Sequence, residues 1–176
     1  MNTESRPAPS GPPNLLTRMN ARLARYGMYL SVGGLFVIVA IVAYQVFGRY
    51  VMNSSPTWAE NLALVLILYV TLIGAAVGVR DAGHIGMESM LILLPEWLRN
   101  KIEMVIHVLV AIFGCAMVYN GLILGTSVAG YKLANIQLSE AWRYVPLVVS
   151  GALIVLFSIE HLIALIKGTE VEPAWH

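Results

Sequence analysis

The stretch FGRYVMNSSPTWAENLALVLILYVTLIGAAVGVRDAGHIGMESMLILLP, from Phe47 to Pro95, decides how the whole chain is read. At its centre Leu62 to Val79 is an apolar run of 18 residues in which Thr71 is the clearly polar exception. At ~1.5 Å per residue such a helix crosses most of a ~30 Å hydrocarbon core, so the run predicts a transmembrane helix. Charge gathers at its two ends, with Arg49 and Glu60 before it and Arg80, Asp81 and His84 after it. The result is an apolar rod between two polar collars.

Working outward, three further apolar runs predict an all-α integral membrane protein with four transmembrane helices, about 28–49, 58–79, 102–127 and 144–166. Residues 85–94 are mostly apolar but too short to cross, and Pro95 closes them, so they are expected to form a short amphipathic helix at the interface. Met1 to Asn14 holds four of the eight prolines and few apolar side chains, which predicts disorder. Arg18, Arg22 and Arg25 then share one helical face, a basic lead-in suited to a headgroup surface. The segment to residue 25 is thus read as a basic cytoplasmic N-terminal stretch, and residues 169–176 as a cytoplasmic tail. The run Met28 to Phe47, at 20 residues, exceeds the ~7–15 residues of a signal-peptide core, and no convincing small-x-small cleavage site follows it, so it is read as a retained span.

Composition agrees. Of 176 residues 58% are hydrophobic and 12% charged, against about 25% charged in a soluble domain. A net charge of +1 without a basic and aromatic stripe argues against nucleic acid as a partner. The single Cys115 rules out an intrachain disulfide and a cysteine-based metal site. With four spans both termini share one side, and Lys and Arg divide eight to three in favour of that side, which predicts cytoplasmic termini. Trp58 and Trp142 would then mark the outer interface and Trp97 the inner one.

The order and spacing of particular residues resemble the small membrane subunit, or small permease component, of tripartite ATP-independent periplasmic (TRAP) transporters. These residues are Arg49 closing the first span, Trp58 and Glu60 opening the second, Gly74 and Ala75 within it, and Arg80, Gly83, His84 and Ile85 after it. A weaker echo follows in Leu138, Trp142, Tyr144 and Pro146, while Asn61 and Glu88 depart from the pattern, where a second acid and an Asp are common. The resemblance implies a bacterial inner-membrane complex. Its large multi-span subunit would carry the substrate and Na+ sites, and a periplasmic binding protein would deliver an organic acid. For the small subunit no residue is assigned to catalysis and no cofactor is expected, and a bundle with glycine strips and interfacial tryptophans reads physically as a rigid brace for the part of a transporter that stays fixed.

Several side chains carry two readings. Gly74 with Gly78, and Gly121 with Gly125, are GxxxG pairs that allow close helix approach, either within this chain or to a partner. Arg49 and Glu60 end and begin consecutive spans on one side, so they can form an ion pair across a short outer connection or face water separately. The resemblance raises the paired reading. Arg80, before Gly83 and His84, suits a helix end at the surface, where a cation complements the dipole, or a contact with the large subunit.

Glu103 and His107 lie one turn apart on span three, and Glu160 and His161 near the inner end of span four. Ionisable groups in spans usually face protein or a water-filled cavity. This group can be a structural network, a set of interfacial side chains snorkelling to water, or a participant in ion or proton movement. A function of another class is also open: His107 and His161 on neighbouring helices could hold a haem iron, as in redox membrane anchors, although they would lie at depths differing by roughly 5 to 8 Å. A stand-alone exporter would need a central carboxylate, and Glu160 lies too near the inner edge.

Overall fold

The computed structural model describes residues 15–54, 56–81, 95–133 and 138–167. They form four long helices, α1 (Leu15–Tyr50), α2 (Thr57–Asp81), α3 (Glu96–Ser127) and α4 (Val145–Lys167), with a short 3-10 turn at Glu140–Arg143 leading into α4. All four are long and apolar enough to cross a membrane. The chain is an all-α integral membrane protein with four transmembrane helices. His84 and the interfacial helix expected at 85–94 lie outside the described residues.

The first helix is longer than the apolar run alone suggests. With no proline and no acid between Leu15 and Tyr50, nothing breaks it, and the basic lead-in is continuous with the first span. It ends where Asn53 takes a left-handed conformation, φ 51°, one of the few non-glycine residues that tolerates it. Ser54 N–H then returns to Gly48 O at 3.0 Å. Gly48 has to be small there, because a Cβ would lie 2.9 Å from Ser54 O. Pro56 begins the next helix with its carbonyl accepting from Ala59 N–H, and Pro95 does the same service for α3 through Leu98 N–H. Between α3 and α4 the backbone pairs Leu133 N–H with Leu138 O and Glu140 N–H with Tyr131 O, and the Ser139 hydroxyl caps the 3-10 turn at Ala141 N–H.

The helices are arranged around a central pair, α2 and α4, with α1 packed chiefly on α2 and α3 on α4. Two small clusters record this. Ala24, Val77 and Phe157 join α1, α2 and α4, while Ala76, Met117 and Ile154 join α2, α3 and α4. Ala76 and Val77 are neighbours in sequence, about 100° apart on the helix, so α2 turns one side to each outer helix. Small residues set the spacing. A Cβ on Gly114 would lie 2.9 Å from Gly151 O and one on Gly151 2.8 Å from Gly114 O, so the backbones of α3 and α4 touch at that crossing. Large apolar side chains remain exposed along every helix, as expected where lipid takes the place of water.

Candidate functional site

α2 ends with Arg80 and Asp81, and both are buried. At the same end of the molecule α4 presents Glu160 and His161, α1 presents Asn20 and α3 presents His107, all at most 5% exposed. This end, where α1 and α3 begin and α2 and α4 finish, is the basal end. α2 and α4 run parallel, so the last turn of α2 comes level with the later turns of α4, and the long Arg80 side chain reaches Glu160 there.

The centre of the site is a two-pronged ion pair. Arg80 donates from Nε to Glu160 Oε2 at 3.1 Å and from Nη2 to Oε1 at 3.2 Å. Its remaining nitrogen, Nη1, donates to Asp81 Oδ1 at 3.0 Å. The planar guanidinium is thus matched to one carboxylate edge-on while a second carboxylate takes the other side. Asn20 completes the arrangement, its Nδ2 donating to Glu160 Oε2 at 2.9 Å and to Leu156 O at 3.3 Å. One carboxylate therefore ties α1 and α2 to α4.

Next to it, His161 Nε2 lies 3.0 Å from Arg80 O. A carbonyl oxygen can only accept, so this nitrogen carries the proton and donates to the last turn of α2. The His161 ring stacks on His107 with centroids 4.5 Å apart and planes 4° from parallel. That contact brings in α3, so the basal network touches all four helices. Among the described residues no group of three or more His, Cys, Asp or Glu is placed to hold a metal ion.

This geometry corrects the haem reading. Axial ligands must point ring nitrogens at an iron from opposite sides of a macrocycle, whereas His107 and His161 meet face to face at one level and leave no space for one between them. His161 Nε2 is committed to Arg80 O.

The other sequence-derived residues fall in different places. Arg49 and Glu60 are both exposed and form no ion pair with each other. The reason is rotational: Gly48 and Ala59, each one residue earlier, occupy the inward positions, and their charged neighbours are turned about 100° away. Trp58 packs on Tyr44 instead, with ring centroids 6.3 Å apart, holding α1 to α2 at the opposite, distal end. Trp142 is half exposed, and its backbone carbonyl accepts from Tyr69 Oη at 3.0 Å. Glu103 pairs with Arg99 one turn earlier on α3 at 2.9 Å and is not part of the buried network. Gly74 faces Ser31 on α1 and Gly121 faces Val148 on α4, whereas a Cβ on Gly78 would meet nothing within 4 Å. Sequence reading missed Asn20 and Asp81 and placed Arg80 at the surface. The available signal was the 20, 24, 27 spacing of Asn, Ala and Gly, an inward face of small or short residues on an otherwise bulky helix.

A family model described as tripartite ATP-independent periplasmic transporters, DctQ component, matches residues 38–168. The chain is 25% identical over 130 residues to the sialic acid TRAP transporter small permease protein SiaQ of Vibrio cholerae, covering 74% of this chain and 75% of that one. It is also 33% identical over 88 residues to the sialic acid TRAP transporter permease protein SiaT of Haemophilus influenzae, covering 49% of this chain and 14% of that longer protein.

Proposed function

The chain belongs to the DctQ-component family of tripartite ATP-independent periplasmic transporters, and from that membership we propose that it is the non-catalytic brace of such a transporter. In this reading a large multi-span subunit carries the substrate and Na+ sites. A periplasmic binding protein delivers an organic acid, of which the sialic acid named for two relatives is one example. The chain sits in a bacterial inner membrane with both termini cytoplasmic, the orientation favoured by the eight-to-three division of Lys and Arg.

The observation that carries the proposal is the basal network. Arg80 and Asn20 both donate to Glu160, joining three helices, and all three residues are at most 3% exposed, so these polar groups are used to lock the fold. A rigid unit of this kind suits the stationary part of a transporter whose other part moves. The match to one stretch of the longer SiaT permease also favours a partner of that type, because a segment of this kind occurs there within the permease polypeptide itself.

The test is uptake in a strain lacking this chain. Loss of uptake with the binding protein's ligand affinity unchanged is expected. Substrate transport by the purified chain alone in proteoliposomes would overturn the proposal.

A further inference from the structure

We infer that the outer face of α1 is a binding surface for anionic phospholipid, held at its headgroup by Arg18, Arg22 and Arg25. The argument starts from the rotation of α1. Asn20, Ala24 and Gly27 are its packed positions at the basal end, and all three are buried against α2 and α4. At 3.6 residues per turn, Arg18, Arg22 and Arg25 fall within about 60° of one another and diametrically opposite that packed face. All three are exposed. α1 contains no Asp or Glu between Leu15 and Tyr50, so the formal charge of this helix is wholly basic.

The same line continues up the helix as Tyr29, Gly33 and Phe36. Tyr29 is 63% and Phe36 73% exposed, and a Cβ at Gly33 would meet nothing within 4 Å. Read from the basal end, the ridge is guanidinium, then phenol, then open apolar surface. That order follows the profile of one bilayer leaflet: phosphate, interface, acyl chain. A protein partner would not require it.

Length agrees as well. The 36 residues of α1 extend about 54 Å, against a hydrocarbon core of ~30 Å, so the arginine turns stand at headgroup level when the apolar part is immersed. Charge complementarity selects the occupant: three cations on one ridge favour phosphatidylglycerol-like headgroups over zwitterionic ones. Each basic residue at an anionic surface corresponds to a roughly fivefold preference.

The experiment uses the full chain purified in a neutral detergent and titrated with mixed micelles of phosphatidylglycerol or phosphatidylcholine. The thermal midpoint is expected to rise with phosphatidylglycerol and much less with phosphatidylcholine. R18Q/R22Q/R25Q is expected to lose that difference, and inorganic phosphate to give no comparable rise. An equal response of the wild type and the triple variant, or a full response to inorganic phosphate, would overturn the inference. A second arm places a photo-reactive phenylalanine analogue at position 36 of the otherwise unaltered chain in whole membranes. Adducts with lipid are expected, and a predominant adduct with another polypeptide would assign the ridge to a protein partner instead.

Discussion

Arg80 gives up its contact with water completely, and everything about its surroundings follows from that. A guanidinium removed from water needs a counter-charge and an acceptor for each nitrogen, and Glu160 and Asp81 supply both. Removing one partner leaves the other buried and charged, a loss of ~3–5 kcal/mol for a fully buried pair. Arg80→Gln and Glu160→Gln are therefore each expected to lower the thermal stability of the purified chain strongly, and the double variant to fall well short of their sum. Arg80→Lys is expected to rescue little, because an ammonium lacks the planar fork whose three separated nitrogens meet both Glu160 oxygens and Asp81. The distal pair provides the contrast. Arg49→Ala and Glu60→Ala should be small and additive in the isolated chain, since the two side chains are exposed and share no bond. A double-mutant cycle on thermal midpoints reads both pairs. A coupling for Arg49 and Glu60 as large as that for Arg80 and Glu160 would contradict the structure.

At the scale of the helix, glycine marks where two backbones approach. Gly114 and Gly151 face each other across α3 and α4, and in both directions a Cβ would strike a backbone carbonyl, which cannot swing aside as a side-chain tip can. Gly114→Val and Gly151→Val should push the two helices apart. The cost is expected at or above the ~1–3 kcal/mol usual for overpacking, read as a lowered midpoint and a loss of monodisperse protein in detergent. Gly33→Ala and Gly78→Ala meet open space and are expected to change neither. The GxxxG spacing in α2 thus covers two different situations, with Gly74 against Ser31 and Gly78 open, a distinction that depends on which side of α2 its neighbour takes.

For the whole molecule, the proposed orientation is the property most open to direct measurement. A cytoplasmic reporter fused after His176 is expected to be active, as is a periplasmic reporter inserted near Gly130. The reverse pattern would invert the charge argument. The arrangement around α2 and α4 also explains why so few hydrophobic side chains are buried in a chain so apolar. α1 packs mainly on one helix and is surrounded on its other sides by exposed Tyr29, Phe36 and their neighbours, so the membrane rather than the protein covers most of its surface.

The four spans were legible because the bilayer imposes a length, and a helix long enough to cross it shows as an uninterrupted apolar run whatever its neighbours do. The presence of ionisable groups at the basal end was legible for the same reason, since charge stands out inside such a run. Their partners were not. Glu160 is 80 residues from Arg80 and 140 from Asn20, and only the packing of α4 against α2 and the start of α1 brings the three together. Arg49 and Glu60 show the converse: they are close along the chain, yet rotation about two helix axes turns them apart. Depth in the membrane is fixed by counting residues along one helix, whereas rotation is fixed by which small side chains let two helices touch. The sequence by itself therefore determined how many helices cross and where polar groups lie along them. Which of those groups meet was decided by tertiary packing alone.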